Sequence, residues 1–347
     1  MKIGWIEIIV KKDEGIVYNE QLKKDGGIVY NEQARKALSK FFDLDLVVCE
    51  SKYFRKIRYL KIPESLFYLW KLKGEKDLWI RDFYSTVAFR PKKTKGKNLL
   101  IIPHLDFSGF PLIARPFLNF FKNVFFFHNL KKMDAILTVS EYWKQYFLKK
   151  GCQNVYKIYN SFDLSDFNVS DEDVSDFKKK YKLQNKPIVY LGNCQKAKGV
   201  KESFKALKGL DVHFLTSGER KVKIPALNLN LSDRDYLTLL KASSVVIAMS
   251  KFKEGWCRTA HEAMLSKTSV IGSGRGGMRE LLEGGKQIVC SDFKNLKERV
   301  QDLLDNPRLR EKMGQNGYNF AKNFTPEKFE SEWLNLINDI NFLKTNK

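Results

Sequence analysis

Two glutamates in the second half of the chain have a spacing that suits a polar ligand. Glu254 and Glu262 are separated by seven residues within residues 253–280, which read KEGWCRTAHEAMLSKTSVIGSGRGGMRE. If a helix begins near Cys257, its free backbone N–H groups and the positive end of its dipole form a binding site for phosphate. Both carboxylates could then accept hydrogen bonds from sugar or ribose hydroxyls. By itself, such a pair more often consists of two solvated side chains.

The elements that position these residues follow an alternating pattern. Short apolar runs alternate with helical patterns, which is typical of parallel sheets covered by helices on both faces. In the first half, strands are predicted at residues 44–49, 78–80, 99–103, 124–127 and 136–139, and helices at 31–42 and 141–150. In the second half, strands are predicted at residues 188–191, 212–216, 227–229, 245–247, 269–271 and 287–289. The charged residues 163–186 divide two α/β units.

Residues 253–280 resemble a segment of glycosyltransferase family 4. In that family, Glu-Gly-aromatic-Gly precedes Glu-Ala-Met, a buried strand, and Gly-Gly followed by Glu. This chain has Glu254-Gly255-Trp256-Cys257, Glu262-Ala263-Met264 and Gly276-Gly277-Met278-Arg279-Glu280. Cys257 departs from the family's usual glycine, and we expect it to tighten the loop near the sugar.

The resemblance continues upstream of this segment. Gly192-Asn193 and Lys198-Gly199 resemble the family's Gly-Arg pair and its Glu-Lys-Gly loop, with Asn193 in place of the arginine. Tyr159-Asn160-Ser161-Phe162-Asp163 resembles an Asn-Gly-Val-Asp signature, with Ser161 in place of the glycine.

Two weaker matches lie nearer the start of the chain. His104 follows a predicted strand where the family carries its active-site histidine, and carboxyl ends of strands in open α/β sheets are where ligands bind. A histidine in such a place is also often purely structural. Gly26-Gly27 resembles the glycine-rich loop after the first strand. A duplicated GIVYNEQ segment, at residues 15–21 and 27–33, offers Gly15 as a rival.

The resemblance implies the GT-B fold, an α/β architecture of two Rossmann-like, doubly wound parallel-sheet domains facing a cleft. Residues 1–170 would form the acceptor-binding domain, and residues 171–325 the domain that binds a nucleotide-sugar donor. Residues 326–347 would form a helix that crosses back to the N-terminal domain.

The resemblance also implies a retaining sugar transfer from a nucleotide-diphosphate sugar, with no obligatory metal and no further cofactor. The departing diphosphate would be stabilised by fixed cations and N–H groups. The predicted catalytic residues are Glu254, His104 and Lys198. The predicted donor-binding residues are Glu262, Gly26, Gly27, Gly192, Asn193, Gly255, Trp256, Cys257, Arg258, Thr259, Gly276 and Gly277.

Charge widens the choice of partners. The 347 residues include 62 Lys and Arg against 40 Asp and Glu, a surplus of +22 that attracts polyanions. Residues 51–100 contain about half of this surplus, and these residues and 115–132 interleave cations with aromatic side chains. Such stretches fit an interfacial helix on anionic lipid, single-stranded nucleic acid, or a core helix whose cations are solvated. A lipid-linked or glycan acceptor would suit the first reading, and we expect no nucleic acid because no recognition motif is present.

Other features exclude further classes of protein. Five scattered cysteines and four separated histidines suggest neither a disulfide framework nor a zinc site. The beginning of the chain does not resemble a signal peptide, and no apolar window approaches the length needed to span a bilayer. We therefore expect a cytoplasmic protein with at most peripheral membrane contact. Asn193, Cys257 and Ser161 also leave open a protein of this fold that binds nucleotide sugars without catalysis.

Overall fold

The computed structural model describes residues 1–9, 26–50, 53, 58–109 and 112–342. The chain divides into two compact units. The N-terminal unit comprises Met1–Phe107, Pro111–Tyr159 and Glu327–Lys347, and the C-terminal unit comprises Ser108–Phe110 and Asn160–Pro326. Apart from Ser108–Phe110, the chain thus passes to the C-terminal unit at residue 160, eleven residues before the domain boundary drawn from the sequence, and returns at residue 327.

A parallel sheet of six strands forms the centre of the N-terminal unit, in the order β2-β1-β3-β4-β5-β6. Its strands are β1 (Lys2–Ile9), β2 (Asp43–Glu50), β3 (Gly74–Arg81), β4 (Thr94–Ile101), β5 (Ala135–Thr138) and β6 (Val155–Lys157). Its helices up to residue 149 are α1 (Gly26–Leu38), α2 (Arg58–Lys71), α3 (Phe83–Val87), α4 (Arg115–Phe121), α5 (Phe127–Leu130) and α6 (Glu141–Lys149).

The C-terminal unit contains a second parallel sheet of six strands, in the order β12-β11-β10-β7-β8-β9. Its strands are β7 (Ile188–Asn193), β8 (His213–Ser217), β9 (Leu227–Leu229), β10 (Val245–Ala248), β11 (Val270–Gly272) and β12 (Ile288–Val289). Its helices are α7 (Asp171–Lys180), α8 (Val200–Leu207), α9 (Asp233–Ala242), α10 (Arg258–Leu265), α11 (Met278–Gly284), α12 (Leu296–Asp305) and α13 (Pro307–Ala321).

The last helix, α14 (Pro326–Phe342), begins at a proline, which fits the first turn of a helix because that turn leaves N–H groups unbonded in any case. Its buried face packs within the N-terminal unit. The Trp333 ring lies 6.3 Å from the Trp5 ring, and the Phe329 ring meets Tyr30 edge-on at 5.3 Å. All four side chains are at most 4% exposed.

One predicted strand is wrong. Residues 124–127 are helical, because α4 continues through a π-helical turn (Lys122–Phe126) into α5. Leu118, Phe126 and Leu130 are buried at spacings of eight and four residues, which is a helical repeat, while Val124 and Phe125 are exposed. The run of Val and Phe suggested a strand because an uninterrupted apolar run has no periodicity to read.

Two smaller differences concern the ends of elements. The first helix begins at Gly26 and ends at Leu38, so Gly26 and Gly27 form its first turn and not a loop. The short strand β6 was missed, since three residues carry too little pattern. The rival glycine, Gly15, lies outside the described residues.

Candidate functional site

The C-terminal sheet has a switch point between β7 and β10. The chain runs from β7 outward to β8 and β9, then returns to β10 on the other side of β7 and continues to β11 and β12. At such a point the two loops leave in opposite directions, and a crevice opens at the carboxyl ends of the two strands. Asn193 is the last residue of β7, the loop after β7 carries Lys198, and the loop after β10 carries Glu254.

Lys198 is held by a tight turn. Residues Lys196–Lys198 form one 3-10 turn, and Gly199 follows with a φ of +70° before α8 begins. A Cβ atom at Gly199 would lie 2.2 Å from the carbonyl oxygen of Met249, so only glycine fits here. The loop after β7 therefore passes directly over the end of β10, and Lys198 lies beside the second loop.

Glu254 is a buried carboxylate held by a cation and a hydroxyl. Lys198 Nζ lies 2.6 Å from Glu254 Oε1, and Ser250 donates its hydroxyl hydrogen bond to the same oxygen. The Glu254 side chain is 9% exposed, whereas that of Lys198 is 31% exposed. Burial of a charge is costly unless it is paired, so this ion pair sets the position of both side chains.

The backbone around Glu254 is attached to the glycine cluster. Glu254 N–H donates to the Arg275 carbonyl at 3.1 Å, and Gly277 N–H donates to the Glu254 carbonyl at 2.9 Å. Gly276, between them, has a φ of +69°, and a Cβ atom there would lie 2.4 Å from the Glu254 carbonyl oxygen. The predicted residues Gly276 and Gly277 thus lie against Glu254.

Cys257 stands at the amino end of α10, as predicted for the start of this helix, and no side chain caps that end. Its φ of 146° lies in the region that favours glycine, which is the residue the family resemblance expects here. Burial, and then the charge of Glu254, raise the pKa of the thiol to about 12. Burial therefore favours the protonated thiol at neutral pH.

Glu262 lies one turn into α10 and is also paired. Its carboxylate accepts a hydrogen bond from the Tyr236 hydroxyl at 3.1 Å and lies 3.3 Å from the Arg258 guanidinium. Burial, followed by the charge of Glu262, raises the pKa of Tyr236 well above its usual value, so its hydroxyl keeps the proton it donates. Tyr236 also lies 3.4 Å from the Thr259 hydroxyl.

Arg258 has one buried nitrogen that the described residues leave unbonded. Its guanidinium carbon lies 4.3 Å from the centre of the Phe162 ring, and its Nη2 faces Glu262. Its Nη1 is buried and has no hydrogen-bond partner among the described residues. A buried donor without an acceptor costs about 1–3 kcal/mol, which an anionic ligand would recover by accepting the bond.

Asn193 has a neutral environment. Its side-chain oxygen accepts from the Ser217 hydroxyl at 3.1 Å, and that hydroxyl lies 2.6 Å from the Tyr190 hydroxyl. Gly192, just before it, has a φ of +92°. The position that carries arginine in the resembling family therefore joins a chain of uncharged hydrogen bonds here.

Trp256 and Gly255 are buried. The Trp256 indole N–H donates to His261 Nδ1 at 3.0 Å, and its ring lies 5.5 Å from that of Phe324. His261 is fully buried, stacks on Phe162 at 4.0 Å, and its Nε2 lies 3.1 Å from the Ala321 carbonyl oxygen. The side chain of Trp256 is thus used in packing, and His261 fixes its orientation.

We expect His261 to make stability fall in mild acid. Burial, and then the charge of Arg258, lower its pKa to about 3 against the ordinary 6.5, so the folded protein keeps the ring neutral. The contribution of the neutral His261 ring to the free energy of unfolding is complete above pH 6.5. It is lost as the pH falls towards 3, because only the unfolded chain takes up the proton in that range. Between pH 7 and pH 5 the loss is about 2 kcal/mol. Chemical denaturation of the wild type and of a His261→Gln variant at both pH values measures it.

His213→Gln is the matched control for this experiment. His213 belongs to the same unit, but it is only partly buried and its pKa is lowered less. The His261→Gln variant should lose most of the pH dependence, and the His213→Gln variant should keep it. Equal pH dependence in wild type and His261→Gln would contradict the assignment of a neutral, buried ring.

The N-terminal unit carries the remaining predicted residues. His104 lies three residues beyond the end of β4 and is partly buried. Gly26 and Gly27 lie in the first turn of α1. The structure therefore pairs Lys198 with Glu254 and Arg258 with Glu262 in the C-terminal unit. The roles of all the predicted site residues, including His104, Gly26 and Gly27, stay predictions. Among the described residues, no group of three or more His, Cys, Asp or Glu could hold a metal ion.

Three site residues were missed by the sequence reasoning: Ser250, Tyr236 and His261. Ser250 had a signal, because it follows a fully buried strand at the end where ligands bind. His261 lies beside Glu262 within the segment already singled out. Tyr236 had no such signal, because the sequence of a helix does not indicate which of its hydroxyl groups will face a carboxylate.

Comparison with known proteins gives consistent results. Residues 171–320 match the family described as glycosyl transferases group 1. An uncharacterised glycosyltransferase of Methanocaldococcus jannaschii is 26% identical over 251 residues, which cover 67% of either chain. The alignments with the next two curated relatives cover 59% and 56% of those relatives.

Solved structures share the fold. Sucrose-phosphate synthase of Thermosynechococcus elongatus superposes with a TM-score of 0.77 at 16% identity, over 98% of each chain. The Anabaena protein HepE, crystallised with UDP and glucose, superposes with a TM-score of 0.70 at 15% identity, over 98% of this chain and all of that one. At such identities the similarity concerns the fold alone.

Proposed function

We propose that this chain, a glycosyltransferase of group 1 with the GT-B fold, transfers a hexose-type sugar from a nucleotide-diphosphate sugar to a glycan or lipid-linked acceptor. The donor would be a UDP- or GDP-sugar, and the transfer would retain the configuration at the anomeric carbon. The Anabaena protein that shares this fold was crystallised with UDP and glucose, and this supports UDP as one of the two candidate carriers.

One observation carries the proposal: two paired carboxylates flank the uncapped amino end of α10. Glu254 precedes that end and is paired with Lys198, and Glu262 follows it and is paired with Arg258. The cations and the helix end suit a diphosphate, and the carboxylates suit hydroxyl groups. A nucleotide sugar offers both kinds of group in one molecule, with the diphosphate between ribose and sugar.

In this proposal the protein acts mainly through fixed charges. When the bond between sugar and diphosphate breaks, negative charge develops on the departing phosphate. Lys198, Arg258 and the backbone N–H groups of Arg258 and Thr259 would stabilise that charge, and because they are already in place, little reorganisation is needed. Glu262 would bind the ribose, Glu254 the transferred sugar, and His104 a sugar hydroxyl or the developing charge.

The same groups bear on the need for a metal. Two cations and a helix end supply positive charge where a divalent ion would otherwise be used, so we propose that transfer needs no metal. Asn193 removes one cation relative to the resembling family, and Arg258, with its unbonded nitrogen, is the residue that would replace it.

The acceptor site belongs to the N-terminal unit in this proposal. A lipid-linked acceptor would place the enzyme at the cytoplasmic face of a membrane. No helix among the described residues is long and apolar enough to cross one.

The experiment that tests the proposal is a thermal-shift screen followed by a turnover assay in EDTA. The screen uses UDP, GDP, ADP, their common sugar conjugates and a short oligonucleotide. We expect one nucleotide and its sugar conjugate to raise the melting temperature, and that conjugate to release its nucleotide slowly in the presence of EDTA. Stabilisation without turnover would indicate a binding protein of the same fold. A salt-sensitive shift with the oligonucleotide alone would overturn the proposal.

A further inference from the structure

An apolar surface in the N-terminal unit has no role in the proposed chemistry. Six large apolar side chains between residues 112 and 125 are between 41% and 85% exposed. We call them the apolar ridge: Leu112, Ile113, Phe117, Phe120, Val124 and Phe125. Exposed apolar residues are ordinary when scattered, but a contiguous group of this kind is not.

The aromatic part of the ridge is contiguous. The Phe120 ring lies 6.0 Å from the Phe125 ring, and both lie within 5.7 Å of Phe121. Phe117 in turn lies 4.5 Å from Phe121. Phe121 therefore connects three exposed rings into one surface.

The ridge is also firmly attached to the unit. The opposite side of the same helical stretch buries Leu118, Phe126 and Leu130, each at most 6% exposed. Phe126 and Leu130 belong to a core cluster with Leu100 and Ile136 of the sheet. Because one face is packed in the core, the exposure of the other face is a property of the fold.

The segment that carries the ridge is cationic, although Asp106, just before it, attracts the charge of Lys122. Residues 107–133 contain no Asp or Glu, but they contain Arg115, Lys122, Lys131 and Lys132. Lys131 and Lys132 are exposed, while Arg115 and Lys122 are partly buried. The ridge thus combines exposed apolar side chains with cationic residues in the same stretch of chain.

We propose that the apolar ridge docks on a bilayer that contains anionic lipid, with its Phe and Leu side chains at the level of the acyl chains and its cations at the headgroups. Interfacial helices bind in this way, with an apolar face below and Lys or Arg beside it. Each cation near such a surface strengthens binding about fivefold. This inference does not depend on the donor chemistry of the C-terminal unit.

Two other occupants fit the surface less well. A second copy of the chain would bring its own surplus of +22 and a ridge margin of the same sign, so the two faces would repel. A nucleic acid strand would use aromatic rings for stacking, but Leu112, Ile113 and Val124 have no ring to offer. A lipid surface accepts aliphatic and aromatic side chains alike.

The test is vesicle flotation with the full chain and no donor or acceptor. The probes are vesicles of phosphatidylcholine alone and of phosphatidylcholine mixed with phosphatidylglycerol. We expect the wild type to bind the mixed vesicles and to lose binding as salt is raised. Phe117→Ser with Phe120→Ser should weaken binding by about tenfold or more, since two half-exposed rings no longer enter the interface.

Phe41→Ser is the matched control, because Phe41 belongs to the same unit, is 53% exposed like Phe120, and lies outside the ridge. It should bind as the wild type does. Lys131→Glu with Lys132→Glu should reduce binding only to vesicles with anionic lipid. Circular dichroism checks that each variant is folded.

Three outcomes would overturn the inference. The first is wild-type protein that ignores the mixed vesicles. The second is equal binding by the ridge double variant and the wild type. The third is a wild-type protein that does not bind vesicles but forms a dimer in sedimentation or a complex with an oligonucleotide, when the ridge double variant forms neither. Nucleotide binding in the thermal-shift screen is unaffected by any of them, so the proposed function is judged separately.

Discussion

We expect the Lys198→Met variant to transfer sugar about a hundredfold to a thousandfold more slowly than the wild type, as when a fixed group that stabilises developing negative charge is removed. In the structure Lys198 is the more exposed member of its pair with Glu254, so a ligand in the crevice can reach its ammonium group. Steady-state nucleotide release with the best donor from the screen measures the effect.

A loss of stability must be separated from a loss of chemistry. Without Lys198, the buried Glu254 loses a charged partner, and removing one member of a buried ion pair is destabilising. A second variant, Lys198→Met with Glu254→Gln, removes the charge of Glu254 as well. We expect it to recover most of the melting temperature without recovering transfer.

Ligand affinity distinguishes the two possible roles of Lys198. If its ammonium group contacts the diphosphate, the double variant binds the nucleoside diphosphate about tenfold or more weakly than Glu254→Gln alone, and binds the bare nucleoside equally well. If Lys198 only holds Glu254, these two variants bind the diphosphate with the same affinity. Lys241→Met is a suitable control, because Lys241 has the same side-chain exposure of 31% and pairs with Asp171 elsewhere in this unit.

The C-terminal sheet could be predicted from the sequence because its central strands, β7, β10 and β11, are almost fully buried. All four residues of β10 are buried, and such strands read as uninterrupted apolar runs between turn residues. The alternation with helices predicted a parallel sheet, and the resemblance to a known family implied its doubly wound arrangement. The same rule failed at residues 124–127, where an apolar run that is half exposed belongs to a helix.

The site was predictable only in part. Glu254 and Glu262 are close in sequence, and a helix was predicted to begin between them. The sequence could therefore predict that Glu254 precedes α10 and that Glu262 lies within it. The pair between Lys198 and Glu254 could not be expected, because the two residues are 56 positions apart in sequence and the path of two loops decides their distance. The turn at Gly199 carries the one visible signal, a glycine after a lysine.

Side-chain direction is the second limit. Trp256 was predicted to bind the donor, and that role stays a prediction; its indole is buried and bonded to His261. Both residues lie in the segment that the sequence singled out. Whether an aromatic side chain faces a ligand or the core depends on neighbours such as Phe324, which lie far along the chain.

Substitution of Glu262 should have the second large effect on transfer. We expect Glu262→Ala to lower transfer by about a hundredfold and to remove the preference of the protein for ribose over deoxyribose. Tyr236 and Arg258 hold the carboxylate from two sides, so its direction is set before any ligand binds. A hydrogen bond to a charged acceptor contributes about 1.5–3 kcal/mol, which corresponds to a ten- to hundredfold preference for the sugar that can donate it.

The measurement compares the affinities of the ribonucleoside diphosphate and its 2′-deoxy and 3′-deoxy analogues. The wild type should prefer the ribonucleotide by about tenfold or more, and Glu262→Ala should bind all three alike. Tyr236→Phe keeps the carboxylate but removes one of the two groups that orient it. This variant should therefore lose only part of the preference for the ribonucleotide. Glu283→Ala removes an equivalent Arg–Glu pair four residues apart on α11, with a distance of 3.2 Å, and should change nothing.

The contrast between these variants decides what Glu262 does. If Glu262→Ala lost affinity equally for the ribonucleotide and both deoxy analogues, the carboxylate would act by holding Arg258 in place for the diphosphate. In that case Arg258→Lys should reproduce the loss, because a lysine keeps the charge but not the fixed fork of the guanidinium. A preference that disappears only in Glu262→Ala, and persists in Arg258→Lys, assigns the ribose to the carboxylate itself.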